Sequence, residues 1–224
     1  IVPLLQYATI IISVLAAKKG VVTMSSILYD QERYSDSYLE KVADFEAKLK
    51  FDPTTYQHSF NVAHLSVQLL KQSRYEHDEV LVYYAGLFHD IGKSIMPLTV
   101  LKKENRLSRD EFSQIKEHAK QGFRILQKYK FPSDVLFAAL LHHEKYDGSG
   151  YPIGFIGKEI PVIARIVNVS DIFDALTSDR PYRDAYSVEE AIQIMENTRE
   201  QFDPELIDVF ISRVVNRKLS KNLF

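Results

Sequence analysis

The hydrophobic positions fall at helical spacing over most of the chain. Residues 34–50, "YSDSYLEKVADFEAKLK", place Tyr38, Leu39, Val42, Phe45 and Leu49 on one helical stripe, a candidate linking helix. Asp52-Pro53 reads as an N-cap followed by proline in the first turn, opening a helix that runs through His58 towards Gln72. A second helix starts near Asp78 and runs through "EVLVYYAGLFHD", with Gly92 as its expected left-handed stop. Ser108 and Glu111 form a capping box for a helix carrying His118, and Ser187 and Glu190 form another. Ser133 or Asp134 caps "VLFAALLHHE", Pro161 opens "VIARIVNVSDIFDALTSD", and Asp203-Pro204 starts a last helix. Alternating strand patterns are scarce, so the expected fold is all-α from about residue 51 to 217.

The first 17 residues, "IVPLLQYATIIISVLAA", carry no charge and precede Lys18 and Lys19. Two readings stand: the end of a transmembrane helix with a basic flank, or buried core of an upstream region. Residues 1–50 are therefore expected to be an N-terminal segment and linker helix from a truncated sensory or membrane region, and 218–224 a C-terminal tail. A catalytic domain in the cytoplasm, with a membrane tether through missing N-terminal sequence, is the expected placement.

Composition narrows the chemistry. A net charge of -2 offers no basic field for long nucleic acid. The absence of cysteine excludes disulfides and thiolate metal sites, so any metal must use histidine, carboxylate and water. Seven histidines are present, and most sit in telling places. His89-Asp90 ends the apolar run "YYAGLF", and His142-His143 ends "FAALL". Asp171 interrupts "IARIVNVSDIFDAL", where an unpaired carboxylate would cost several kcal/mol to desolvate. A shared dication would offset the desolvation of all these groups. The candidate set is His58, His89, Asp90, His118, His142, His143 and Asp171. It exceeds one ion's coordination and suits two ions sharing a carboxylate, which favours attack by a bridging hydroxide on a phosphoester. His64, six residues after His58, turns away from it on a helix and reads as structural, and His77 reads as a solvent-exposed residue. Tyr83-Tyr84 and Tyr182-Tyr186 read as core or edge residues.

"HDIGK" at 89–93, "HHEKYDGSGYP" at 142–152 and "DIFDALTSDRPYR" at 171–183 resemble the HD-GYP domain, a branch of the HD metal-dependent phosphohydrolase superfamily. The resemblance covers about residues 51–215 and implies a helical bundle that hydrolyses the bacterial second messenger cyclic di-GMP to linear pGpG, with GMP an open second step. It implies a first metal at His58, His89, Asp90 and Asp171, bridged by Asp90 to a second at His118, His142 and His143. Iron or manganese is the leading expectation, with zinc, nickel and cobalt open. Lys93 would act with Asp90 in catalysis and meet substrate phosphate; Arg180, Arg183, Asp174 and Tyr151 would contact substrate, Asp174 alternatively orienting a ligand and Arg183 alternatively serving as a helix-end charge. Glu144 is open between supporting the ligands and plain polarity. Some members hold a third metal with a glutamate four residues before the first histidine; Thr54 stands there, so two metals are expected. Homodimerisation, docking of diguanylate cyclases through the GYP loop, a receptor role without turnover, and another cyclic dinucleotide as substrate all stay open.

Overall fold

The computed structural model describes residues 52–215 except 102, 104, 106, 107 and 180–182, together with residues 42, 44, 47, 49 and 50. The stretch 1–17 and most of the proposed linker helix lie outside the described residues; within the linker, residues 42, 44, 47 and 49 are helical. The chain divides into two compact units, Ile1–Phe51 and Asp52–Phe224.

Within the second unit the regular elements are helical. They are α1 (Pro53–Gln72), α2 (Glu79–Phe88), a 3-10 turn (Ile91–Ile95), α3 (Leu98–Leu101), α4 (Arg109–Lys128), α5 (Ser133–Leu141), α6 (Val162–Thr177), α7 (Val188–Asn197) and α8 (Pro204–Val209). Short 3-10 turns at Gly157–Glu159 and Arg199–Gln201 and a π-turn at Phe210–Val215 complete the set. No described helix is long and apolar enough to cross a membrane.

The caps follow the chemistry of their residues. Asp52 accepts from the Thr55 amide at 3.1 Å and opens α1. Both serine–glutamate capping boxes form, Ser108 with Glu111 and Ser187 with Glu190. Two expected boundaries shift. α5 is preceded by Pro132, so Ser133 and Asp134 occupy its first turn. Gly92 has no left-handed backbone; it lies in the 3-10 turn, packed so closely on α4 that an added Cβ would come 2.0 Å from the His118 carbonyl oxygen. Its missing side chain matters for close approach, and α2 ends at Phe88 with His89 as its cap.

α6 is the central helix. Ile163 through Asp171 are all buried, as are Phe173 and Asp174, so it meets neighbours on every face. α1 packs on α2 and α6, α2 on α5, and α4 on α5 and on the 3-10 turn. α4 is amphipathic, burying His118, Ala119, Gly122 and Leu126 along one stripe. The result brings the start of α1, the end of α2, the middle of α4, the end of α5 and the middle of α6 to one place.

Candidate metal centre

Each candidate metal ligand is delivered by a helix that has an apolar reason to be there. His58 lies just over one turn into α1, and Val62, Ala63 and Leu65 bury the same helix into the core. His89 and Asp90 leave α2 after Leu87 and Phe88, and His142 caps α5 after Ala138, Ala139 and Leu141. His58, His89, Asp90, His118, His142 and Asp171 are all buried, and His143 is partly so.

Their ligand atoms form two sets. One is His58, His89 and Asp171; the other is Asp90, His118, His142 and His143, and within each set the atoms lie within 4.8 Å of one another. Asp90 faces both. Its Oδ2 lies 3.3 Å from His89 Nε2 and 3.8 Å from His58 Nε2. Its Oδ1 lies 3.2 Å from His118 Nε2 and 3.8 Å from His142 Nε2. Asp171 Oδ1 sits 3.0 Å from His58 Nε2 and 3.8 Å from His89 Nε2.

Backbone carbonyls decide which nitrogen points inward. The Nδ1–H of His89 donates to Gly86 O at 2.7 Å, that of His118 to Ile115 O at 2.6 Å, and that of His142 to Ala138 O at 3.1 Å. His58 Nδ1–H donates to the Asp174 carboxylate at 2.6 Å. In the neutral ring, protonation at Nδ1 leaves Nε2 with a lone pair directed at the centre. The Nε2 atoms of His118 and His142 are 3.3 Å apart. Two lone pairs at that distance repel, and a cation coordinated by both relieves the repulsion. His89 Nε2 and Asp90 Oδ1 are buried without a hydrogen-bond partner, a costly state that a cation also relieves. The donor set therefore fits divalent metal, and its nitrogen and oxygen character suits borderline transition ions.

Electrostatics agree. Burial, reinforced by neighbouring imidazoles, holds His142 well below the usual histidine range. Burial likewise pushes His118 down and His143 to about 3. These rings are neutral at physiological pH, the form a metal needs. His58 differs: burial works to lower it, but the hydrogen-bonded carboxylates of Asp171 and Asp174 prevail and raise it to about 9. Against burial, Lys93 and His89 hold Asp90 ionised well below the usual carboxylate range, and His58 and His89 do the same for Asp171.

The family model of the HD domain matches residues 46–206. The chain belongs to the HD domain family. Its motifs are those of the HD-GYP branch. Among similar proteins, a cyclic di-GMP phosphodiesterase of Pseudomonas aeruginosa is 38% identical over 167 residues, covering 73% of this chain and 40% of its own length. A 3'3'-cGAMP-specific phosphodiesterase of Vibrio cholerae is 37% identical, over 76% of this chain and 38% of its own. The chain thus spans about two fifths of the curated relatives it matches. An HD-GYP-type protein from Bdellovibrio bacteriovorus shares the fold, with a TM-score of 0.59 at 22% identity over 69% of this chain and 50% of that one.

The HD domain places the other expected residues unevenly. Lys93 Nζ is 2.5 Å from Asp90 Oδ2, at the centre itself. Tyr151 stacks on the His143 ring, centroids 4.7 Å apart. Asp174 is buried, and its oxygens accept from His58, from Asn61 Nδ2 at 2.8 Å and from Ser178 Oγ at 3.3 Å, in keeping with the orienting role expected of it as an alternative. It orients His58. Arg183 sits at the end of α6. Its guanidinium donates to the carbonyls of Ala175 and Leu176 at the end of α6 and to that of Asp184, and lies 4.2 Å over the Tyr186 ring. Unsatisfied carbonyls at a helix C-terminus attract a cation, and that draws Arg183 there. Arg180 and Tyr182 lie outside the described residues.

Glu144 resolves to a loop anchor. Its buried carboxylate accepts from the amides of Ile153 at 2.7 Å, Gly154 at 3.0 Å and Phe155 at 3.2 Å. Gly150 lets the loop fold back on this strand of backbone; a Cβ there would meet Lys145 N at 2.3 Å. His77 is half-buried, its Nε2 3.2 Å from Asp134 Oδ1, rather than open to solvent. His64 stands edge-on to Phe60 and Tyr83, apart from the two sets. Two supports escape sequence reasoning. Asn61 holds Asp174, and buried Asn168 donates to the His142 carbonyl at 2.8 Å. Both lie three residues from a ligand on the same helix (His58 and Asp171), which is the spacing that could have found them.

Proposed function

We propose that residues 51–217 are a metal-dependent phosphodiesterase domain that hydrolyses cyclic di-GMP to linear pGpG. The observation that carries this reading is Asp90, one carboxylate with an oxygen turned to each of two imidazole-rich sets. His58, His89, Asp171 and Asp90 Oδ2 would hold one ion; His118, His142, His143 and Asp90 Oδ1 would hold the other. Two divalent ions there, iron or manganese first among the candidates, would supply Lewis acidity to the phosphoryl oxygens and a water of lowered pKa.

The chain's own groups do the rest. The Nδ1 hydrogen bonds of His58, His89, His118 and His142 hold each ring in the tautomer and angle that binding needs. In hydrolysis a water oxygen bonds to phosphorus, the P–O3′ bond breaks, and the 3′ oxygen takes a proton. Lys93, beside Asp90, puts an ammonium where negative charge grows on the phosphoryl oxygens. The Tyr151 ring closes the His143 side of the site.

The 37% identical relative specific for 3'3'-cGAMP favours a second substrate reading within the same chemistry. A docking role for the GYP loop draws support from Ile153 and Ile156, exposed 55% and 60%. Incubation with manganese or iron(II) and each cyclic dinucleotide, followed by chromatography, tests these readings. Linear dinucleotide from cyclic di-GMP supports the first, preference for cGAMP selects the second, and binding without turnover by any metal form sinks the enzyme.

A further inference from the structure

Lys116 is a cation without a counter-charge at the edge of the metal centre. The neighbouring lysines are neutralised locally: Lys103 pairs with Glu111 at 2.7 Å and Lys120 with Glu117 at 2.9 Å. Among the described residues, Lys116 makes no ion pair. Its ammonium instead lies 5.2 Å from the centre of the Phe112 ring and 5.5 Å from that of Tyr151. Two aromatic faces within about 6 Å hold an ammonium in place without cancelling its charge. Tyr151 in turn stacks on His143, whose ring is 4.0 Å from that of His142. The cation is thus one aromatic ring removed from the second metal set. Phe112 is 49% exposed, so this cradle opens to solvent rather than into the core.

A cyclic dinucleotide carries two phosphates, and the metal centre can act on only one at a time. The other must rest nearby, and it remains an anion throughout the reaction. We propose that Lys116, held between Phe112 and Tyr151, binds the non-scissile phosphate and thereby selects a dinucleotide over a simple phosphodiester. This inference rests on the phosphodiesterase reading above. The interaction is the same in ground and transition states, so it acts on KM rather than kcat.

The test compares wild type, Lys116→Met and Lys116→Arg as metal-loaded full chains on two substrates: cyclic di-GMP, and bis(p-nitrophenyl) phosphate, which has no second phosphate. Loss of one charge-assisted contact predicts a KM for cyclic di-GMP raised about tenfold in Lys116→Met, with kcat within about twofold. Lys116→Arg restores most of the affinity. Turnover of bis(p-nitrophenyl) phosphate and metal content stay at wild-type levels, which a folding defect would not allow. Unchanged KM for cyclic di-GMP in Lys116→Met overturns the inference and leaves the enzyme reading intact. An equal loss on both substrates also overturns it, by showing a structural role. A wild type inert towards cyclic dinucleotides but active on the simple diester removes the inference together with its parent reading.

Discussion

Replacing Asp174 with alanine separates an orienting carboxylate from a substrate contact. The wild-type carboxylate receives the His58 Nδ1–H at 2.6 Å and Asn61 Nδ2–H at 2.8 Å in a buried site. Alanine leaves His58 free to rotate and change tautomer, and leaves the Asn61 amide without that partner. Loss of a carboxylate behind a metal-binding histidine weakens metal binding or activity by about 10–100-fold, equivalent to about 1–3 kcal/mol. The loss falls on the set containing His58, His89 and Asp171, because the other set is held by the carbonyls of Ile115, Ala138 and Ala139. Calorimetric titration of metal-free protein with manganese should show one of two sites weakened about 10–100-fold and the other within about threefold of wild type. At saturating metal, KM for substrate should stay close to wild type. Two unchanged metal affinities with a raised KM would refute the reasoning and return Asp174 to the substrate.

Glu144→Ala strips the acceptor from three loop amides in a buried position, so the melting temperature should fall by an amount equivalent to about 1–3 kcal/mol, and limited proteolysis should cut first within residues 148–156; an unshifted melt would argue that the loop needs no anchor. Metal-free protein should be most stable near pH 6.5. The folded state holds His143 at about 3, so it binds fewer protons than the unfolded chain and loses stability as pH falls below about 6.5, by roughly 2 kcal/mol at pH 5. His58 sits at about 9 in the folded state, so its contribution is whole below about 6.5 and drains away as pH rises towards 9. Melting in chelator at pH 5, 6.5 and 8.5 checks both arms, and a curve that rises or falls steadily across this range contradicts them.

Much of the architecture was legible because it rests on local rules. Asp52, Ser108, Ser187 and Asp203 cap the helices their side chains announce. Of the seven candidate ligands, His89, Asp90, His142 and His143 were legible because polar side chains at the ends of apolar helices must be satisfied by something, Asp171 because it interrupts a buried helix, and His58 and His118 through the family's motifs; the structure brings all seven together. What the sequence hid depends on distances between segments far apart in the chain. Gly92 looked like a helix stop because glycine favours left-handed backbone, but the close approach of α4 is what demands it. The motifs that hold Arg183 and Asp174 left each open between a substrate contact and a local role, a helix-end charge for the first and the orienting of a ligand for the second. Carbonyls at the end of α6 hold the first, and His58, 116 residues away, holds the second. Lys116 carried no motif at all; Phe112 lies beside it through helical spacing, and the folded GYP loop brings the second ring, Tyr151.

The shared carboxylate is the centre of the account, and metal content per chain tests it most directly. Elemental analysis of purified, metal-reconstituted protein should give two transition ions per wild-type chain, one for His142→Ala, and none tightly held for Asp90→Ala with the helical spectrum preserved. One or three ions in the wild type, or two retained by Asp90→Ala, would contradict a dinuclear centre joined through Asp90.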